Sequence, residues 1–154
     1  MFEIVLLSPK IPQNVGAIGR LCVCAGAKLS AIAPTPIDFD DRKLRRAGLD
    51  YWRYLDFSLW DNLELFLAKN PTCDRDFFFT TKVDRPYFHA SFQAGDRFWF
   101  GSEDAGLPED FWRAYSDRAL TIPMKKPFRS LNLANAASIV VYEGIRQNYA
   151  TFTA

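Results

Sequence analysis

Short apolar runs alternate along the chain with stretches in which apolar residues recur every three or four positions. Phe2–Leu7, Leu29–Ala33, Asp76–Thr81, Arg97–Gly101 and Ala119–Pro123 are brief and rich in branched or aromatic side chains, which predicts strands. Val15–Gly26, Asp61–Lys69 and Pro108–Tyr115 carry helical spacing instead. Across Ser130–Ala150, the residues Leu133, Ala136, Ala137, Val140, Val141 and Ile145 follow the i, i+3, i+4, i+7 rule and predict a long final helix. Strands and helices in alternation predict an α/β fold, a mostly parallel sheet with helices on both faces. No repeat, low-complexity tract or linker interrupts the pattern, so residues 1–154 read as one domain.

Composition narrows the class. With 154 residues, 49% of them hydrophobic, the chain can build one core and not two. No window of about 18 apolar residues occurs, so no membrane span is expected. Glu3 stands where a secretion signal would be basic, and Met1–Leu7 reads as a buried strand. Cys22, Cys24 and Cys73 are odd in number, and the first two fall on different faces of a helix. Neither a disulfide nor a zinc set is expected, and a reducing cytoplasm fits. A net charge of +1 does not announce a nucleic-acid partner. A local basic cluster does exist: Arg42, Lys43, Arg45 and Arg46, followed by Tyr51, Trp52 and Tyr54. Such a segment could contact phosphates and stack on bases, but taken alone it reads better as a solvated helix face beside core aromatics, which is the commoner case.

Glycine and proline placement points to three loops. In open α/β sheets, ligands bind where loops leave the carboxyl ends of strands. The first loop, Ser8–Arg20, holds Pro9, Pro12, Gly16 and Gly19; Asn14 is placed to cap the following helix, with Arg20 further in. Its Gly16-x-x-Gly19 spacing is not the dinucleotide fingerprint. The second, Phe100–Pro108, ends a strand in Gly101, follows with Glu103, and opens a helix at Pro108. The third, Ile122–Ala136, crowds Ser130, Asn132 and Asn135 at the start of the final helix, more polar groups than the one cap that Ser130 could supply. Each loop also has a purely architectural reading, as turn, cap or surface ion pair. No carboxylate pair, metal-ligand cluster, Ser-His-Asp set or phosphate-cradling loop is present, and His89, the one histidine, reads as a surface residue.

Together the three loops resemble the motifs of the SPOUT superfamily of RNA methyltransferases. Ile11-Pro12-Gln13-Asn14-Val15-Gly16 with Arg20-Leu21-Cys22 is similar to the first motif. Phe100-Gly101-Ser102-Glu103 with Gly106-Leu107-Pro108 is similar to the second. Ile122-Pro123-Met124, Arg129 to Ala136 and Tyr142-Glu143 are similar to the third. Leu44 to Tyr51 also matches the short enzymes that methylate the ribose 2′-hydroxyl of cytidine or uridine at the tRNA wobble position, nucleotide 34.

The resemblance implies a deep C-terminal trefoil knot, a homodimer, S-adenosylmethionine as cofactor and tRNA as substrate. It places Phe79, Gly101, Ile122 and Ser130 around the cofactor, Phe79 standing where a smaller aliphatic residue is familiar. It makes Arg20, Glu103, Ser130 and Asn132 the catalytic set. Methyl transfer from a sulfonium needs no metal; the enzyme must align the ribose oxygen and lose a proton. Arg20 is the base that the resemblance implies, yet a free guanidinium has a pKa above about 12. Arg20 is therefore read as positioning the ribose and its phosphate, with the proton acceptor left open. Glu103 could fix Arg20 or a substrate group, and Ser130 and Asn132 could bind substrate or cofactor. Methylation at another tRNA or rRNA position, or binding without turnover, are the alternatives.

Overall fold

The computed structural model describes residues 1–40 and 51–153; the basic cluster Arg42–Arg46 and most of the Leu44–Tyr51 match lie outside the described residues. Six strands form one sheet: β1 (Glu3–Leu7), β2 (Lys28–Ile32), β3 (Phe57–Trp60), β4 (Asp76–Phe79), β5 (Arg97–Phe100) and β6 (Ala119–Leu120). Their order across the sheet is β3-β2-β1-β5-β4-β6, and every pairing is parallel. Among the described residues the α-helices are α1 (Pro12–Ala25), α2 (Leu63–Lys69), α3 (Glu109–Arg113), α4 (Leu133–Gln147) and α5 (Tyr149–Phe152).

Side-chain alternation along the strands divides the core in two. Ile4, Leu6, Phe77, Phe79, Phe98 and Phe100 face one side, where Val15, Ile18 and Cys22 of α1 and Leu133, Ala137, Val140 and Val141 of α4 cover them. Val5, Leu7, Phe78 and Trp99 face the other, in one cluster with Phe66 of α2 and Trp112 of α3. Helices thus cover both faces, as the alternating pattern predicts, and both faces of the central strands are apolar.

Local chemistry sets the helix limits. Pro12 opens α1, where its missing N–H costs nothing. Gly26, at φ 62°, closes it in the left-handed conformation, while the Ala27 N–H donates to the Cys22 carbonyl oxygen at 2.8 Å. Asn14 is not the cap: it lies inside the first turn and is buried. Ser130 is not the cap of α4 either. Asn132 takes that place, its Oδ1 accepting from the Ala134 and Asn135 N–H groups at 2.9 and 3.2 Å.

β1 is the strand from which the chain order runs in opposite senses. β2 and β3 lie on one side of it, while β5, β4 and β6 lie on the other. The loops after β1 and β5 therefore diverge at their carboxyl ends and leave a crevice between them.

Candidate active site

All three loops meet at that crevice, held by one polar chain. Glu103 reaches back to the first loop: its Oε2 accepts from the Lys10 N–H at 2.8 Å, and its Oε1 accepts from the Ile11 N–H at 3.0 Å. Asn14 donates its Nδ2 to the same Oε1 at 3.1 Å, and the Asn14 Oδ1 accepts from Asn132 Nδ2 at 2.9 Å. The start of α4, the first turn of α1 and the β5–α3 loop are thus joined by carboxylate and amide groups. Asn132 serves twice, as cap and as tie.

The β5–α3 loop is a tight turn. The Gly106 N–H donates to the Ser102 carbonyl oxygen at 2.8 Å, with Gly106 at φ 69°. A Cβ on Gly101 would sit 1.9 Å from the Gly106 carbonyl carbon and 2.0 Å from the Leu107 nitrogen. Only glycine lets the strand end pass so close to its own return. At the rim, Lys10 Nζ lies 2.6 Å from Asp104, and this ammonium, with the Ser102 hydroxyl behind it, lowers the Asp104 carboxyl to about 2.

Around this frame lies a cleft of about 610 Å³, inside the range that holds a nucleoside-sized ligand. Phe79, Gly101, Glu103, Ile122, Ser130 and Asn132 all line it. Phe79 is buried and stacked on Phe100, with ring centroids 4.9 Å apart at 14°, so the larger side chain forms a flat wall. Among the described residues no group donates to or accepts from the Ser130 hydroxyl, which is exposed at the cleft. Arg20 is the exception. It lies outside the lining, about 9 Å along the α1 axis from Asn14 at 1.5 Å per residue. It is exposed, with its guanidinium 4.6 Å from the centroid of the Tyr51 ring.

Sequence reasoning missed part of the lining. Thr80, Thr81 and Lys82 leave the end of β4 and enter the cleft, although the first two read as strand. Met124 and Arg129 also line it, and Asn14, read as a cap, is the central tie. A second hollow of about 630 Å³ lies across the 102–107 turn, lined by Ser8, Pro34 and Pro36 among others. The polar groups of all three loops converge on the first cleft, which is therefore the candidate site. No group of three or more His, Cys, Asp or Glu side chains placed to hold a metal occurs among the described residues. None of their helices is long and apolar enough to cross a membrane.

Comparisons with known proteins agree on one family. The tRNA (cytidine(34)-2′-O)-methyltransferase of Aeromonas hydrophila is 43% identical over 149 residues, covering 96% of this chain and 94% of its own. The enzyme of the same name from Burkholderia ambifaria is 40% identical, covering 96% of each chain. A solved structure concerned with 2-OH methylation of C/U34 on tRNA superposes with a TM-score of 0.91 at 39% identity, covering 97% of both chains. The SpoU methyltransferase AviRb from Streptomyces viridochromogenes, in complex with AdoMet, gives a TM-score of 0.81 at 26% identity, over 96% of this chain and 60% of that one. The model of the SpoU rRNA Methylase family matches residues 1–142, and the chain belongs to that family.

Proposed function

We propose that this protein transfers a methyl group from S-adenosylmethionine to the ribose 2′-hydroxyl of nucleotide 34, cytidine or uridine, in tRNA. The observation that carries the reading is the convergence of the three loops on one cleft through Glu103, Asn14 and Asn132. Near-full-length similarity to enzymes of that specificity supports it.

The cleft fits the cofactor. Its volume suits a nucleoside with an amino-acid tail, the Phe79 ring offers an apolar wall, and the strand end at Gly101 lines the cleft. Gly101, Ile122 and Phe79 would hold the cofactor, with the uncommitted Ser130 hydroxyl a hydrogen-bonding group for cofactor or ribose. When bound, the cofactor supplies an electrophilic methyl on a positively charged sulfur. The chain must then orient the ribose and exclude water. Glu103 keeps the first and second loops at fixed separation, which makes it a positioning residue. Asn132 retains one N–H beyond its bond to Asn14, available to a ligand oxygen. Arg20, exposed and cationic, orients the ribose and the adjacent phosphate.

A homodimer, a trefoil-knotted C-terminal course and a cytoplasmic setting belong to the same reading, with residues 1–154 acting as one domain. Val140, Val141 and Ile145 of α4 are spent in the chain's own core, while Tyr142, Tyr149 and Phe152 stay exposed and offer a second copy an apolar surface. Arg20 lies outside the lining of its own cleft, which suits a site completed across such an interface.

The test compares methyl transfer from labelled cofactor into two tRNA transcripts that differ only in a 2′-deoxy sugar at position 34. Transfer to the ribose form alone is expected. Equal labelling of both would overturn the assignment of the accepting oxygen.

A further inference from the structure

The segment between β6 and α4 does more than line the cleft. Met124, Arg129, Ser130 and Leu131 face it, whereas Lys125, Lys126 and Phe128 do not line it and are exposed. Phe128, at 74%, is the most exposed large apolar side chain among the described residues. The Phe128 N–H donates to the Lys125 carbonyl oxygen at 3.1 Å, closing a turn that carries all three exposed side chains.

Charge separates this surface from its neighbours. At the cleft, Lys10 is paired with Asp104 at 2.6 Å and Lys82 with Glu109 at 3.7 Å. Among the described residues, no carboxylate pairs with Lys125, Lys126 or Arg129. Three cations without a carboxylate partner among the described residues therefore flank, within five residues of sequence, a phenyl ring that belongs to neither core cluster. A chain of net charge +1 has no general attraction for polyanions, so a local group of this kind must supply it. Cations for phosphates, interleaved with a ring on which an unstacked base can lie, are what single-stranded RNA requires.

We propose that Lys125, Lys126 and Phe128 form a docking site for a single-stranded RNA loop, continuous with the cleft through Arg129. The ring stacks on a base next to the nucleotide being methylated, and the two lysines contact backbone phosphates. The proposal rests on the methyl-transfer reading of the cleft and adds the surface that selects a loop over a duplex, in which bases are already stacked.

The test is fluorescence anisotropy of a labelled anticodon stem–loop RNA with the full chain, no cofactor being needed. Phe128→Ala is expected to weaken binding about 5- to 150-fold, the range of one lost base–aromatic stack. Phe128→Trp is expected to restore it. The double variant Lys125→Gln/Lys126→Gln should lessen the slope of log affinity against log salt by about 1.4, for two phosphate contacts on a single strand. Circular dichroism and melting temperature should match the unsubstituted protein for all three. Binding of both Ala and Gln variants within twofold of it would overturn the proposal. So would absence of stem–loop binding by the unsubstituted chain, or a loss in Phe128→Ala that sedimentation traces wholly to weakened self-association. Binding is read without turnover, so the two readings fail separately. A protein that binds as described but transfers no methyl group sinks the enzyme reading, and one that methylates nucleotide 34 with indifferent variants sinks the docking site.

Discussion

Removal of the Glu103 carboxylate tests whether the polar chain holds the site together. In Glu103→Ala, the Lys10 and Ile11 N–H groups and the Asn14 amide all lose their acceptor. Hydrogen bonds to a charged acceptor contribute about 1.5–3 kcal/mol each when shielded. Lys10 and Ile11 are exposed, so water can replace the carboxylate at both; buried Asn14 has no such recourse. The net cost is then about 2 kcal/mol, most of it at Asn14, which in a domain of this size lowers the melting temperature by roughly 4–8 °C. Glu103→Gln keeps an acceptor for Ile11 and Asn14 and turns an NH₂ group toward the Lys10 N–H, for a cost of about 1 kcal/mol. Thermal unfolding followed by circular dichroism reads both. Asn14→Ala combined with Glu103→Ala should lose less than the two singles summed, by about 0.5–1.5 kcal/mol. A Glu103→Ala protein melting within about 1 °C of the unsubstituted one, or strictly additive losses, would refute the reasoning.

Four further outcomes follow from the same structure. Asp76, fully buried, holds Arg97 through both oxygens at 2.7 Å and accepts from Trp99 Nε1 at 2.6 Å. Asp76→Ala should therefore cost about 3–5 kcal/mol in urea unfolding by stranding the Arg97 charge, and a loss below about 1 kcal/mol would contradict that. Burial pushes the Cys22 thiol up to about 12, whereas Cys24 and Cys73 are exposed. A thiol reagent at neutral pH should modify two cysteines quickly and the third only on unfolding; three equal rates would count against the packing of α1. An unfolded Cys22 ionises near pH 8.5, so the unfolded state sheds a proton that the folded state keeps. Stability from this group is full below about pH 8.5 and falls as pH rises from there toward 12. Arg20→Ala should reduce turnover about 10²-fold or more with cofactor affinity unchanged in calorimetry, and near-normal turnover would remove Arg20 from the mechanism.

Where the chain's pattern was legible, the reason was burial. Phe77-Phe78-Phe79 and Phe98-Trp99-Phe100 are apolar on both faces because helices cover both, and such runs stand out in any sequence. β3 escaped because it is an edge strand: Leu59 is exposed, Phe57 and Trp60 are half-buried, and Asp56 and Ser58 interrupt the run. The strand ends were read too long where residues turn to the site, as with Thr80 and Thr81. The start of α4 was read three residues early, since Ser130, Asn132 and Asn135 are all capable caps and only tertiary packing selects Asn132.

The site was legible in location and less so in wiring. Glycine and proline mark the three loops, and six of the seven expected residues line one cleft. The role of Glu103 was hidden because two of its three donors are backbone N–H groups more than ninety residues away, and every residue type carries such a donor. The setting of Arg20 could not be read from spacing, which gives its height along α1 and not the Tyr51 ring that it lies against.

The central claim is transfer to the ribose of nucleotide 34, and mass-spectrometric mapping of the methylated nucleotide tests it most directly. Bulk tRNA lacking 2′-O-methylation, incubated with the protein and S-adenosylmethionine, should gain methyl on the ribose of nucleotide 34 and nowhere else. Methyl on a base, or on a ribose at another position, would contradict the account.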